Sequence, residues 1–382
     1  MWFGPGHPSG RTAPNTQLHH EVRPTVSSPR PTHPAFRSIG RRRSRAGAFA
    51  LAAAAVTAMA AGGSTAAASG DDEPLLVYGV FATPLEEPWD GAIHAAIEAV
   101  AETGAIEYQH VDGLGTSDEM ERGLRDIIET ASPDLIIGDA FAAEDAVRAV
   151  AADYPDIAFA FGSGGAEVAP NFSVFDNWLQ DPAFLAGMLA GGLTETDTIG
   201  VVAAMPIPEV NRIVNAFVMG VAETNTDATV KVSFINSFFD PATAAQAAEA
   251  QISQDADVLF AERAGVIEIA DENDLPVIGM MVDQQELAPD NVVTSLVWDM
   301  QPTIEALVEQ VSGGDYEAQN LAEYSFMVNG GSSIAPINTD LVVDVPADLV
   351  DLVEERQAEI LDGTFETPVN EDEPDGSIDV AS

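Results

Sequence analysis

Short apolar runs of strand type alternate with segments of helical period through most of this chain, and that alternation constrains its fold most strongly. Residues 75–81 and 134–138 are strand-like runs, and Ile93 and Ile97 lie at helical spacing between them. Near-continuous apolar strands separated by helices are typical of parallel sheets that are covered on both faces. The predicted fold class is therefore α/β, built from doubly wound parallel sheets.

The same order of elements occurs twice, which predicts two lobes with a cleft between them. The second series ends with the strand-like run Val292–Trp298. Asp181-Pro182 and Asp240-Pro241 predict two helix starts in this half, because Asp is a favoured N-cap and Pro suits the first helical position. Ligands of such sheets bind at the carboxyl ends of the strands, so the cleft is the expected binding site.

The chain is predicted to divide into four parts, and the late elements, including a predicted strand at residues 324–327, could complete either sheet. The last part is acidic and aperiodic, which is typical of disorder. The parts are residues 1–70 as an export signal and leader, 71–175 plus about 299–328 as lobe 1, 176–298 plus about 329–364 as lobe 2, and 365–382 as a disordered tail.

The first seventy residues are typical of an export signal. Arginines at positions 41–43 precede a weakly apolar run at residues 46–61, and Ala66 to Ala68 fit a cleavage site before Ser69. The adjacent arginines favour a twin-arginine signal, and an uncleaved membrane anchor is the alternative. The chain has no cysteine, so a cysteine-linked lipid anchor is excluded. We expect an exported protein on the periplasmic or extracellular side of the membrane that is not a lipoprotein.

The net charge of -47 is unevenly distributed along the chain. Residues 1–70 hold eight arginines and one acid, whereas residues 71–382 hold 61 acids against six arginines and one lysine, a net charge of -54. Such a surface repels phosphates, which excludes nucleic acid as a partner. It resembles the surface of a protein that lives in high salt, where charge repulsion is screened over about 3 Å at 1 M.

The sequence contains no complete motif for catalysis, cofactor binding or metal binding. Without cysteine there is no thiol nucleophile, iron–sulfur cluster or zinc–thiolate site. After residue 70 only His94 and His110 remain, which is too few for a histidine metal cluster. We therefore expect no catalytic residue, no cofactor and no metal.

Aromatic and acidic side chains follow several predicted strands at the ends that should face the cleft. Aromatic faces suit a flat ligand ring, since stacked pairs contribute roughly 0.5–1.5 kcal/mol beyond burial. Carboxylates accept hydrogen bonds from ligand N–H or hydroxyl groups. The candidate ligand-binding residues are Trp89, Phe141, Phe238, Phe239, Glu262, Asp283 and Trp298.

Six segments together resemble the basic membrane protein family of ABC-transporter substrate-binding proteins, relatives of the purine nucleoside receptor. The resemblance implies a type I periplasmic-binding-protein fold, in which two hinged lobes close on a ligand without catalysis. It also implies delivery of a purine-like ligand to a membrane permease and its ATPase, and we expect a monomer. The segments are residues 133–138, 183–191, 217–220, 238–241, 256–258 and 277–284.

The resemblance also implies what kind of ligand the cleft takes. Members of the family hold a purine base between two aromatic rings, and Trp89 and Phe239 occupy the most similar positions. Met281 stands where nucleoside binders typically carry an aspartate for the ribose, and Trp298 stands where they usually carry a lysine. Loss of both polar contacts favours a free base, or another small flat heterocycle, over a nucleoside.

Two other classes of function remain as alternatives. A sensory receptor of the same fold would present a small heterocycle to a membrane protein, and the sequence does not separate it from a transport component. An exported α/β hydrolase would need a Gly-x-Ser-x-Gly elbow, but residues 162–164 are too short for that motif and no histidine follows them.

Overall fold

The computed structural model describes residues 74–141, 143–162 and 164–380, which belong to one compact unit. The predicted export signal and leader, residues 1–70, lie outside the described residues. Across the described ranges, every helix is too short or too polar to cross a lipid bilayer.

Lobe 1 is built on a five-stranded sheet with the order β2-β1-β3-β4-β5, in which all neighbours are parallel. The apolar side chains of α1 pack on one face of the sheet, and those of α2 and α3 pack on the other. The elements are β1 (Leu75–Val80), α1 (Pro88–Glu102), β2 (Ile106–Val111), α2 (Ser117–Ala131), β3 (Leu135–Asp139), α3 (Glu144–Asp153), β4 (Ala158–Gly162) and β5 (Phe172–Phe175).

Lobe 2 is built on a seven-stranded sheet with the order β11-β10-β9-β8-β6-β7-β12, in which β11 alone is antiparallel to its neighbour. Its first elements are α4 (Gln180–Leu193), β6 (Thr198–Ala203), α5 (Pro208–Thr224), β7 (Thr229–Phe234), α6 (Pro241–Ile252), β8 (Val258–Ala261), α7 (Val266–Glu272) and β9 (Val277–Gly279). Its later elements are β10 (Val292–Trp298), β11 (Ser332–Ile334), α9 (Ala347–Asp362) and β12 (Ile378–Asp379), whereas α8 (Gln301–Gly313) packs against α1 of lobe 1. Short 3₁₀ turns lie at Gln285–Leu287, Ala322–Ser325 and Met327–Asn329.

These two sheets confirm the predicted α/β class and the repeated order of elements. The predicted cap at Asp240 is confirmed, since its side chain accepts a hydrogen bond from the Thr243 amide at 3.0 Å. The predicted cap at Asp181 is wrong, because α4 begins at Gln180 with Leu179 as its N-cap. Asp181 instead lies in the first helical turn, where a carboxylate interacts favourably with the helix dipole.

The strands near the lobe crossings were the hardest to predict. The predicted strand at residues 324–327 is wrong, since this segment forms 3₁₀ turns and its Ser325 side chain bonds to the backbone of Asp176, at the end of β5. Strand β5 and the three-residue strand β11 were not predicted. Both lie beside crossing segments, where tertiary contacts decide the backbone conformation more than local periodicity does.

Three segments carry the chain between the lobes, and hydrogen bonds tie them together. The indole N–H of Trp298 donates to Ser325 Oγ at 3.1 Å, and Ser325 Oγ donates to the carbonyl oxygen of Asp176 at 2.7 Å. The Asp299 amide of the second crossing segment donates to the Gly331 carbonyl of the third at 3.0 Å. The crossing segments are residues 176–179, 299–300 and 326–331.

The acidic tail was predicted to be disordered, and this prediction is wrong for residues 365–380. The tail runs along α5, where the side-chain amides of Asn211 and Asn215 donate to its backbone carbonyls at 3.0 and 2.9 Å. Its end forms β12, which pairs in parallel with β7. The tail thus covers the edge of the lobe 2 sheet, a position where an unpaired strand would be open to association.

Two side chains anchor the tail. The Phe365 ring lies 5.1 Å from the Phe184 ring, and the Arg356 guanidinium lies 4.0 Å above Phe365. Glu371 Oε1 lies 3.3 Å from Nη1 of the buried Arg212. Composition did not reveal these anchors, because a few specific contacts hold a segment that has no periodicity of its own.

We predict that a chain ending at residue 363 unfolds at a lower temperature than the full chain. The truncation exposes the Phe184 ring and removes one partner of a buried guanidinium, a loss of roughly 2–4 kcal/mol. Thermal denaturation in molar salt measures the difference, and a chain lacking only residues 381–382 is the control. Equal melting temperatures for the two truncated chains would show that the tail does not stabilise lobe 2.

Candidate functional site

Each lobe has a point at which the order of its strands reverses. In lobe 1 the reversal lies between β1 and β3, and in lobe 2 it lies between β6 and β8. In doubly wound sheets, ligands bind outside the carboxyl ends of the strands at such a switch point. The residues that follow these four strands are therefore the candidates for the site.

Two buried carboxyl groups lie at the switch point of lobe 1. Asp90, in the first turn of α1, is 1% exposed, and its Oδ2 accepts hydrogen bonds from the Thr83 amide at 3.0 Å and the Thr83 hydroxyl at 2.6 Å. Asp90 Oδ1 is buried and has no hydrogen-bond partner among the described residues. Asp139, the last residue of β3, accepts a hydrogen bond from the Phe141 amide at 2.7 Å.

Burial makes both of these carboxyls hold their protons more tightly than usual. Desolvation, with the nearby charges of Asp139 and Glu87, raises the pKa of Asp90 to about 8. Desolvation and the charge of Glu87 raise the pKa of Asp139 to about 7. The physical cause is that a low-dielectric site disfavours charged carboxylates, and neighbouring negative charges disfavour them further.

Glu87 fixes the start of α1 and with it the position of Trp89. Glu87 Oε2 accepts hydrogen bonds from the Trp89 amide at 2.9 Å and the Asp90 amide at 3.1 Å. The Trp89 ring stacks on Phe175 at 5.9 Å with an interplanar angle of 17°. It also lies directly over Gly162, where a Cβ atom would overlap the ring. A glycine at the end of β4 therefore makes room for the indole.

An ion pair occupies the switch point of lobe 2. Glu262 follows β8, and its Oε2 accepts a hydrogen bond from the Ala204 amide at 2.8 Å. Arg263 donates to Glu262 Oε1 at 2.7 Å, to Glu262 Oε2 at 3.0 Å and to the Phe238 carbonyl at 2.9 Å. Both oxygens of Glu262 are thereby engaged, so this carboxylate orients Arg263. The guanidinium also lies 5.5 Å from the centre of the Phe238 ring.

Arg263 joins the two lobes. Its Nη1 lies 3.3 Å from Glu87 Oε1, and both side chains are almost fully buried. Beside this pair, the Phe141 ring of lobe 1 meets the Phe238 ring of lobe 2 edge-on at 4.5 Å. The lobes are therefore in contact at their switch points, and the cleft is closed.

The remaining sequence-predicted residues lie in different environments. Trp298, at the end of β10, is buried and its ring lies 5.0 Å from Trp89. Phe239 is 39% exposed and makes no ring contact with Trp89 within the described residues. Asp283 is exposed and accepts a hydrogen bond from the Gln285 amide in a local turn. The structure thus brings together Trp89, Phe141, Phe238, Glu262 and Trp298, and it leaves Phe239 and Asp283 on exposed loops.

Four residues of this site were not predicted from the sequence: Glu87, Asp90, Asp139 and Arg263. The acids were hidden because 61 acidic residues follow position 70, so a single carboxylate carries little information. Arg263 had a usable signal, since it is one of only seven cationic residues after position 70.

We predict that Arg263→Gln destabilises the chain by about 3–5 kcal/mol, because it leaves two buried carboxylates without their counter-ion. Urea denaturation measures the loss, and small-angle scattering should show a larger radius of gyration as the lobes separate. The control is Arg356→Gln, which removes ion pairs to two more exposed acids. If both variants lose equal stability, Arg263 is not the principal link between the lobes.

We predict that stability falls as the pH rises from about 4 to about 8. In this window the folded chain keeps protons on Asp90 and Asp139 that the unfolded chain releases, because folding raises both pKa values. Urea denaturation at fixed salt across this range should show a shallower slope for Asp90→Asn than for the unmodified chain. The exposed-site control Asp271→Asn should keep the full slope, and parallel slopes for all three proteins would contradict the prediction.

The chain is similar to proteins that bind small solutes. It is 34% identical over 237 residues to the putative ABC transporter glucose-binding protein TsgA13 of Haloferax volcanii, a match that covers 60% of this chain and 59% of that protein. It is 27% identical over 276 residues to a purine-binding protein of Brucella abortus, which covers 72% of this chain and 76% of that protein. The chain thus spans less than two thirds of the Haloferax relative.

A solved structure shares the fold of this chain, and a family pattern identifies the group of proteins to which the chain belongs. The solved structure of an ABC transporter solute-binding protein from Conexibacter woesei superposes with a TM-score of 0.62 at 23% identity, covering 78% of this chain and all of that one. The pattern of the family described as ABC transporter substrate-binding protein PnrA-like matches residues 81–325. This range includes both switch points and the Glu87–Arg263 pair. The chain belongs to the PnrA-like, or basic membrane protein, family of ABC transporter substrate-binding proteins.

Proposed function

We propose that the chain is the extracytoplasmic binding component of an ABC importer and that its cleft binds a purine-type base. The main support is Asp90 Oδ1, a buried oxygen that has no hydrogen-bond partner among the described residues and belongs to the residue next to Trp89. A buried polar atom without a hydrogen-bond partner is costly, so the site gains when a ligand supplies one. The indole beside it offers a flat surface that suits a flat heterocycle.

A free base fits this cleft better than a nucleoside. Met281 is fully buried at the end of β9, with the Asn177 amide 3.8 Å from its sulfur. The indole N–H of Trp298 already donates to Ser325. Ribose hydroxyls placed against these side chains would lose water without gaining a hydrogen-bond partner, which is unfavourable.

The names of the relatives support two ligand classes. The Brucella abortus relative is named a purine-binding protein, and the Haloferax volcanii relative is named a glucose-binding protein. A tryptophan face can stack on either ring, so a hexose is the second candidate ligand. A hexose carries hydroxyls on every edge, and the apolar surface of Met281 and Trp298 favours the flat base.

The same proposal covers partners and location. The chain is exported, performs no catalysis and delivers its ligand to a membrane permease that is driven by an ATPase. What supports this is the family membership together with the closed two-lobe geometry, since lobe closure gives a membrane partner a surface that reports the bound state.

Calorimetric titration of the folded chain in molar salt tests the proposal. The panel is adenine and hypoxanthine, their nucleosides adenosine and inosine, and glucose. We expect a base to bind at least tenfold more tightly than its nucleoside, since a buried unpaired hydroxyl costs about 1–3 kcal/mol. Glucose binding alone would support the hexose, and a folded chain that binds no purine base would refute the proposal.

We predict that Trp89→Ala weakens binding of the base by about 1–3 kcal/mol, because it removes the aromatic surface beside the free carboxyl oxygen. Tyr154→Ala is the matched control, since Tyr154 caps the far end of α3. Titration of both variants gives the comparison. Unchanged affinity in the Trp89 variant would assign this ring to packing between the lobes.

A further inference from the structure

Arg212 of α5 lies where the tail meets the first crossing segment, and its side chain is 2% exposed. Its Nη2 donates to Asp176 Oδ2 at 2.6 Å and to the Asn177 carbonyl at 3.0 Å, both in the crossing segment. Its Nη1 lies 3.3 Å from Glu371 Oε1 in the tail. One buried guanidinium therefore bonds to the tail and to the crossing segment.

The tail residue Glu371 is held in position by α5. Its backbone carbonyl accepts a hydrogen bond from the side-chain amide of Asn211 at 3.0 Å, and its side chain meets Arg212, the next residue of the helix. The side-chain amide of Asn215 donates to the two carbonyls on either side of Glu371 at 2.9 and 2.8 Å. The docked backbone of the tail thus directs this carboxylate at the guanidinium.

The contacts of Arg212 continue into the third crossing segment. The guanidinium lies 4.2 Å from the centre of the Trp178 ring, and this ring meets the Phe326 ring edge-on at 5.7 Å. The Asp176 carbonyl also accepts the hydrogen bond from Ser325 Oγ. The position of the guanidinium therefore affects segments that must bend when two hinged lobes move apart.

The shape of the guanidinium couples these two sets of contacts. The group is planar and rigid, so Nη1 and Nη2 of Arg212 cannot turn independently. Its buried Nε has no hydrogen-bond partner, and Glu371 is the only group outside the first crossing segment that bonds to this guanidinium within the described residues. When the tail leaves, Nη1 loses its acceptor, and a turn of the group towards water withdraws Nη2 from the crossing segment.

Repulsion between acids acts in the opposite direction. Desolvation is the largest cause that raises the pKa of Asp176, and the charge of Glu371 raises it further. Loss of Glu371 would therefore also relieve Asp176. The Glu371 side chain is 44% exposed, so water and salt screen this repulsion. The direct contact with Arg212 is short and directional, and we expect it to decide the outcome.

We propose that the tail controls how readily the cleft opens, because docked Glu371 holds Arg212 on the first crossing segment and release of the tail loosens that segment. For the bound ligand this rests on the proposed function, since the closed cleft must open before a base leaves. The tail contributes no residue to the candidate site. It therefore changes how long the ligand stays bound without changing a contact to the ligand.

Fluorescence energy transfer within single unliganded molecules in molar salt tests the effect on opening. The chain has no cysteine, so dyes on Glu129→Cys in α2 and Asp271→Cys in α7, both exposed, report the separation of the lobes. Adding Glu371→Ala should raise the ratio of open to closed molecules about tenfold, because the closed state loses a charge-assisted contact. The matched control is Glu373→Ala, since this exposed acid accepts a hydrogen bond from Ser377 within the tail. A ratio that equals that of the control, or that falls, would overturn the proposal.

Stopped-flow measurement of adenine release tests the effect on the ligand. Glu371→Ala should release adenine about tenfold faster with little change in the association rate, because opening limits release. A raised open-to-closed ratio with an unchanged release rate would overturn the control of ligand release. A chain that binds no base would refute the proposed function, and the energy-transfer comparison would still decide whether the tail holds the crossing segment.

Discussion

The buried guanidinium of Arg263 is the interaction on which the closed arrangement of the lobes depends. Lobe 2 holds this side chain with Glu262 and the Phe238 carbonyl, so its position is fixed without any contribution from lobe 1. Of the ion pairs and hydrogen bonds that Arg263 makes, only the 3.3 Å contact to Glu87 crosses the cleft. Opening at the switch points therefore breaks one ionic contact and the Phe141–Phe238 ring contact, after which Arg263 keeps Glu262 as its counter-ion and Glu87 regains water.

Glu87 gives that contact a consequence for the binding site. One of its oxygens meets Arg263, and the other caps the helix that carries Trp89 and Asp90. The first turn of α1 is thus fixed by the same carboxylate that closes the cleft. At the other side of the cleft, Trp298 contacts the Trp89 ring and is bonded through Ser325 to the crossing segments. Trp89 therefore connects the ion pair that closes the mouth with the segments that cross between the lobes.

Most of the fold could be predicted from the sequence, because buried parallel strands leave continuous apolar runs. Strand β10 and the cap at Asp240 were found from local signals alone. The tail and β11 could not be found this way, since their conformations depend on contacts with distant residues. For such segments, the local sequence gives only the conformational preference of the isolated peptide, and tertiary contacts override that preference in the folded protein.

The candidate site was predicted only in part, because some of its residues are recognised from local sequence signals and others only from their surroundings in the fold. The rule that ligands bind at strand ends located Trp89, Phe141 and Phe238, because aromatic residues are rare enough in this chain to be informative. The same rule did not distinguish Asp90 or Asp139 among 61 acids. Their importance comes from their burial and, for Asp90, from an oxygen without a hydrogen-bond partner in the described part of the chain, and both are properties of the folded structure.

The aromatic rings beside the arginines have a further consequence for a chain this acidic. Acidic residues are abundant in this chain, so ion pairing alone does not favour one position of an arginine side chain over another. Aromatic rings are much less abundant than carboxylates, and stacking on a ring face fixes the position of the guanidinium. Lysine would keep the charge but would stack poorly and lose the planar fork, so it would not be directed to the same place. The guanidinium–ring pairs are Arg148 over Phe172, Arg212 over Trp178, Arg263 over Phe238 and Arg356 over Phe365, which is four of the six arginines after residue 70.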